Sequence, residues 1–424
     1  MPNGTYGGVG GGANHPAYPI QEALVVGRSN TSFGHAMRAQ WALDPAITYL
    51  NHGTVGATPR RVLASQLAIR DEMELQPSRF LLRDIIGLSG AQRPAMGRMR
   101  KAADPVAAFL GARTDDLVFV DNATAGVNAV LRSLEFRAGD EILVTDHGYG
   151  AVTYTAQYVA RRAGATVRVV ELPFPVRSPE QVADAVSAAI GPATKLLVMD
   201  HVASGSSLVM PLPEIARRCH ARGVAVLADG AHAPGALDLD IASLGVDWYT
   251  GNLHKWAWAP RSCGILWAAP GRQAELHPPV ISWGLDQGFT AEFDWVGTRD
   301  PSAWLASPEA IAMLRDLGAA KVRDYNHALA LDAAALLVAE LGAEPMGPES
   351  MIGTMVTLRL PERFGRVDAD ANCLRDLLLF EDSIEVQLHA WRDRIWVRIS
   401  AQVYNERADI VRLVERLKAR APKG

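Results

Sequence analysis

Residues 224–258 read VAVLADGAHAPGALDLDIASLGVDWYTGNLHKWAW, and the fold turns on how this stretch is read. It opens with Val224, Ala225, Val226, Leu227 and Ala228, bounded by Gly223 and Gly230. A short apolar run between glycines predicts a strand buried on both faces, as in a parallel sheet. Asp229 closes that run. In open α/β sheets ligands sit outside the carboxyl ends of the strands, so an acid at this point is a candidate site residue. Twenty-six residues further on comes Lys255, behind Asn252 and His254 and flanked by Trp256 and Trp258, in what reads as an aromatic, glycine-bearing turn.

Outward from this stretch the same alternation repeats. Apolar strands are expected over residues 117–120, 141–144, 166–171, 195–199 and 263–267. Helices are expected over 60–75, 92–110, 179–190 and 213–222. Strands alternating with helices at this spacing imply crossover connections and a mostly parallel α/β sheet. After Trp267 the pattern loosens. A long helix over about 307–341 leads into strands at 355–360, 384–390 and 395–399, with a hairpin at Arg392-Asp393 and a closing helix over 406–420. The expected division is a flexible glycine-rich tail over residues 1–33, a large domain over 34–305 and a small α+β domain over 306–424.

Several strand ends carry polar groups. Residues 47–56, ITYLNHGTVG, run an extended piece through Asn51 and His52 into a glycine-spaced turn, whose glycines permit close backbone approach to a ligand. Residues 121–126, DNATAG, join a strand to a helix start, which is an anion site by its free N–H groups and dipole; Ala123 and Thr124 stand at its head. An ordinary helix cap reads the same way. Residues 145–149, TDHGY, offer Tyr149, and second His147, as a ring to stack on a planar ligand. On the strand over 395–399, Ile395, Val397 and Ile399 share one face and Arg398 the other, where its fork suits a carboxylate. A surface arginine fits that pattern equally. Taken together, a lysine amine for a covalent bond to an aldehyde and a carboxylate for a ring nitrogen are what pyridoxal phosphate chemistry needs.

Composition narrows the class. Apolar residues make up 49% and charged residues 21%, as in a soluble globular protein. A net charge of −4 with no basic block argues against nucleic acid and membrane surfaces. Cys219, Cys263 and Cys373 are far apart with no CxxC, so neither a disulfide scaffold nor a metal site is expected, and a reducing, cytoplasmic setting is. No secretory signal pattern and no apolar run of membrane length is seen.

With these blocks in place, the chain resembles the class V branch of the fold-type I pyridoxal phosphate enzymes, most closely the isopenicillin N epimerase-like group, over about residues 33–415. FGHAMRAQWALDPAITYLN (33–51), QPSRF (76–80), DNATAGVN (121–128), DGAHAPG (229–235), YTGNLHKW (249–256) and VGTRD (296–300) carry the likeness. The resemblance implies that Lys255 bears the cofactor and moves the α-proton, and that Asp229 pairs with the ring nitrogen. It implies His232 and Ser204 near the phenolic oxygen, where relatives often have Gln and Asn. Ala123, Thr124, Asn252 and His254 would hold the phosphate. Gly297 and Thr298 would reach the phosphate of a neighbouring subunit in a homodimer, Tyr149 would stack on the ring, and Arg398, with Asn51 and His52 nearby, would hold the substrate carboxylate. His52 and Tyr149 are the candidates for a second proton carrier. Cysteine desulfurases of the class carry a mobile-loop cysteine before that arginine; residues 387–394, QLHAWRDR, have none, which argues against a persulfide relay. Epimerisation, C–S lysis by β-elimination and transamination of an amino-acid substrate share their first steps and stay open. A cofactor-binding protein without turnover is the alternative of another class.

Overall fold

The computed structural model describes residues 32–85 and 97–421. The expected tail, up to residue 31, and the start of the helix expected over 92–110 lie outside the described residues. Seven strands form the main sheet: β1 (Leu117–Val120), β2 (Glu141–Thr145), β3 (Thr166–Val170), β4 (Thr194–Asp200), β5 (Ala225–Gly230), β6 (Trp248–Asn252) and β7 (Gly264–Ala268), in the order β1-β7-β6-β5-β4-β2-β3. Only β7 runs antiparallel to its neighbours.

The apolar runs become central strands because helices cover both faces. Alternate residues go to opposite layers. Leu143, Leu197, Val226 and Ile265 meet the helices Arg98–Phe109, Pro179–Ala189, Leu212–His220 and Ser307–Leu317. Ile142, Val144, Leu196 and Leu227 meet Ala123–Ser133 and Gly150–Ala163. This is an α/β fold with a mostly parallel sheet, as the alternation predicts. From β2 the chain moves outward to β3 and then returns to β4 on the other side of β2. The strand order therefore reverses between β2 and β4, and the loops after those strands part to leave a crevice.

Two elements differ from expectation. No strand is expected over residues 248–252, which lead into the glycine-bearing turn around Lys255, yet they form the central strand β6, fully buried. Thr250, Gly251 and Asn252 are there because β6 is crowded: a Cβ on Gly251 would come within 2.9 Å of Pro234. The long helix expected over 307–341 is two, Ser307–Leu317 and Ala319–Leu341, parted at Gly318 with φ 82°.

A second, antiparallel sheet comprises β8 (Glu344–Pro345), β9 (Met355–Arg359), β10 (Gln387–Trp391) and β11 (Arg394–Ser400), ordered β10-β11-β9-β8. The strand expected over 384–390 divides, because Ile384 pairs with Thr48 while β10 pairs with β11. Arg392 and Asp393, both at positive φ, make the tight turn that a two-residue hairpin requires. Ile395, Val397 and Ile399 join a core with Leu337, Leu378 and Leu413 of the helices behind this sheet. Trp396 lies in the other core, with Met355, Val403 and Tyr404. Arg398 is therefore turned toward the crevice side of its strand.

Candidate active site

Lys255 lies in the turn between β6 and β7. The backbone fixes it: the Leu253 and His254 N–H groups both donate to the Cys263 carbonyl, at 3.0 and 3.1 Å. Two glycine contacts hold it from outside. A Cβ on Gly56 would fall 1.9 Å from the His254 carbonyl oxygen, and one on Gly235 would fall 2.3 Å from that of Trp256. The HGTVG glycine expected to admit a ligand thus admits the chain's own lysine turn.

The Lys255 amine is buried, with Nζ 3.1 Å from His232 Nε2. Burial, helped by the Arg398 charge, pushes it down to about 7, against the pull of Asp229 and Asp200. His232 is held neutral by burial and the Lys255 charge, and its Nδ1 has no partner among the described residues. Asp229, at the end of β5, accepts from the Ala231 N–H at 2.9 Å. Burial raises its pKa while Lys255 opposes the shift.

His52 is fully buried. One ring nitrogen pairs with the Tyr404 hydroxyl at 2.8 Å and the other with the Lys255 carbonyl at 3.0 Å. Both nitrogens are engaged, and burial lowers its pKa to about 4. His254 bonds the Cys263 carbonyl at 3.0 Å and is likewise pushed down to about 4 by burial. At the head of the helix Ala123–Ser133, Asn122 caps the Ala125 N–H at 2.9 Å, and the Ala123 N–H donates to Asn252 Oδ1 at 2.8 Å. That bond joins β6 to the anion-type helix start, with half-buried Thr124 in its first turn.

Arg398 crosses toward the same region. Its guanidinium donates to the Ser204 carbonyl at 2.8 Å, the Ser204 hydroxyl at 3.3 Å, Asn51 Oδ1 at 3.2 Å and Thr54 Oγ1 at 2.6 Å. It is 3% exposed, all its acceptors are neutral, and Nε has no partner among the described residues. Burial lowers it to about 10. A cavity of about 290 Å³ opens beside it between the loops after β2 and β4 and the hairpin β10–β11, lined by Tyr149, Ser204, Gln387, His389, Trp391 and Arg398. Tyr149 is half-exposed on its wall. His147 is buried, bonded to Ser206 Oγ at 2.9 Å and edge-on to Trp391.

Ser204, Tyr149 and Arg398 line that cavity; Arg398 is bonded to Asn51, Lys255 contacts His232 and, through its carbonyl, His52, and the Asn252–Ala123 junction lies on the strand next to Asp229. Gly297 and Thr298 are not drawn into this region. Gly297 faces open space and Thr298 is exposed, on a loop whose Arg299 pairs with Asp121 at 3.2 Å. Sequence reading missed Thr54 and Asp200. Thr54 had a signal, three residues after Asn51 on a helical turn. Asp200 had another: it closes its strand just as Asp229 does.

The family described as Aminotransferase class-V matches residues 59–361. The chain is similar to isopenicillin N epimerase from Amycolatopsis lactamdurans, 36% identical over 401 residues that cover 90% of this chain and 97% of that protein. It is also similar to a probable chloroplastic L-cysteine desulfhydrase from Arabidopsis thaliana, 31% identical over 398 residues covering 87% and 82%. Among solved structures, a mutant of C-DES with glycine covalently linked to its PLP cofactor superposes with a TM-score of 0.74 at 22% identity, covering 91% of this chain and 99% of that one. At that identity the likeness speaks for the fold alone.

Proposed function

The chain belongs to the class-V aminotransferase family and is a pyridoxal-phosphate-dependent enzyme, and from that footing we propose that it inverts the α-carbon of an amino acid or amino-acid-derived substrate, in the manner of an isopenicillin N epimerase. The observation that carries this reading is Arg398. A guanidinium buried to 3% exposure with only neutral acceptors lacks the countercharge that buried charges need. A substrate carboxylate entering the adjoining cavity supplies it, and the α-carbon then lies between Arg398 and Lys255.

The residues present suit the cofactor. When bound, it links covalently to a lysine through its aldehyde and takes up the negative charge that develops at the α-carbon. Lys255, with an amine near 7, is neutral enough to make that bond and, once released, to accept the α-proton. Asp229 would pair with the ring nitrogen and hold its positive charge. His232 and Ser204 serve the phenolic oxygen. Ala123, Thr124, Asn252 and His254 serve the phosphate at the helix start. Tyr149 would cover the ring and is the better candidate for the proton returned from the opposite face, since His52 has both nitrogens engaged and instead fixes the Lys255 backbone. Gly297 and Thr298 complete the phosphate site of a second copy. The exposed loop with Ile281 and Trp283, 54% and 86% accessible, is an apolar surface for such a homodimer to cover. Free thiols at Cys219, Cys263 and Cys373 suit a cytoplasmic location.

A second reading, C–S lysis, is favoured by the size of the cavity: about 290 Å³ is at the small end for ligand pockets. Incubation with L-amino acids and β-lactam precursors in deuterated water separates the readings. An α-deuterated inverted product establishes epimerisation. Pyruvate with ammonia and a sulfur product establishes lysis, and a keto acid alone establishes transamination. Bound cofactor with none of these products overturns the enzymatic reading in favour of a cofactor-binding protein.

A further inference from the structure

Asp200 ends β4 as Asp229 ends β5, and the two are in register on adjacent parallel strands. Their side chains therefore leave the same face from strands about 4.8 Å apart. Both carboxyls are buried, 4% and 3% exposed. Asp200 also meets two loops. The Ser204 N–H donates to it at 3.4 Å, and the Tyr149 backbone N–H, in the loop after β2, faces it closely enough to favour its charged form. Ser204 is the residue whose carbonyl receives Arg398, and Tyr149 forms the opposite cavity wall. One carboxyl thus stands between the two sides of the crevice, bonded to the Ser204 loop and facing the Tyr149 backbone, at the point where the strand order reverses.

We propose that Asp200 is a positioning residue held as a neutral carboxylic acid, tying the Ser204 and Tyr149 walls together while leaving Asp229 the single negative charge offered to the cofactor's ring nitrogen. Two like charges side by side in a buried site disfavour double ionisation, so one of the pair keeps its proton. The retained proton falls to Asp200. Burial and the Asp229 charge both raise its pKa, more than the two N–H groups and Lys255 lower it. The surrounding groups do not supply a second positive charge. Lys255 is the cation acting on both acids and is itself near 7. His201, His232 and, from the Tyr149 loop, His147 are all kept toward neutrality by burial. Asp146 in that loop is engaged by Arg392 at 2.8 Å, and Arg398 is directed at Ser204, Asn51 and Thr54. Tyr249, next to Asp229, stays a neutral phenol and bonds His201 at 2.9 Å.

The identity of the ring rests on the proposed function; the charge state does not, so the test has two arms. In the cofactor-free full chain, melting temperature is followed from pH 5 to pH 8 for wild type and Asp200→Asn. A carboxyl whose folded pKa is raised stabilises the fold while protonated and loses that contribution as pH rises. The asparagine variant, which cannot ionise, should therefore gain on wild type with increasing pH, by about 1–2 °C per pH unit. A variant whose melting temperature stays level with or falls relative to wild type as pH rises overturns the proposal. In the second arm, pyridoxal phosphate is titrated into both proteins and into Asp200→Ala. Asparagine keeps an acceptor oxygen for both loops and should bind within about threefold of wild type. Alanine, with no acceptor for these loops, should bind about 10-fold more weakly. Asparagine binding as poorly as alanine overturns the positioning role. If the alanine variant does not fold, the pH comparison decides alone. If wild type takes up no cofactor, the functional reading fails while the first arm still reports on Asp200.

Discussion

Asp229 and Asp247 stand at opposite ends of the same two strands, both buried, and their surroundings could hardly differ more. Asp247, just before β6, accepts from the Val226 N–H at 2.7 Å, from His220 at 2.9 Å and from Arg272 at 2.8 Å. Three donors reach its two oxygens, and the carboxylate ties the amino end of the sheet together. Asp229 has one backbone donor at 2.9 Å and a carboxyl neighbour in register. A folded chain tolerates an under-satisfied buried acid only where something else completes it. The same contrast separates Arg398, which has neutral acceptors only, from Arg100, which is closed bidentately on Asp294 at 2.8 and 2.6 Å.

That contrast can be broken or sharpened by substitution. Lys255→Ala should abolish the lysine-linked visible absorbance of the holoprotein and reduce turnover by about 10³-fold or more, read by spectrum and steady-state assay. Asp229→Asn should leave the fold intact and lower kcat by about 10²-fold, because an amide cannot hold the ring-nitrogen charge. Arg398→Lys should raise KM about 10- to 100-fold with a smaller change in kcat, since a point charge cannot reproduce the fork. Asp247→Asn should do the reverse of Asp229→Asn. Turnover per folded molecule should stay within about twofold, while denaturant unfolding shows a loss of about 1–3 kcal/mol. Equal loss of activity in both variants would erase the distinction drawn between the two acids.

The pH dependence sharpens it further. A solvated lysine amine titrates near 10.5, whereas that of Lys255 is lowered to about 7, chiefly by burial. The neutral form prevails above the folded value. The rate of cofactor attachment should therefore rise with pH to a plateau just above 7, and a rate still climbing tenfold per unit at pH 9 would place that amine in solvent.

Much of this was legible in the chain. Asp229 and Lys255 declare themselves because the apolar run before the acid has one structural meaning and the aromatic turn around the lysine few. The buried strands were readable for the same reason. β6 was not, because Thr250, Gly251 and Asn252 are chosen for a crowded sheet interior and imitate a turn. Nor was the break at Gly318, whose neighbours continue the helical period on both sides. Gly56 looked like a ligand-facing glycine; its partner, like that of Gly235, is the backbone around Lys255, a contact between residues distant in sequence that no local pattern carries. Asp200 was visible only as a strand end, and its pairing with Asp229 depends on strand order. Thr54 and the cavity wall at His389 and Trp391 depend on how the second sheet meets the crevice.

The glycine contacts at residues 56 and 235 have a bearing on how this scaffold can change. The lysine turn is positioned by main-chain atoms, through the Cys263 carbonyl and two contacts that leave no room for a methyl group. Gln387, His389 and Trp391, which shape the opposite wall, come from a hairpin that makes none of those contacts. Replacing those three side chains therefore leaves the reactive amine where it is. A library confined to them is a route to new substrate preferences on an unchanged chemical centre.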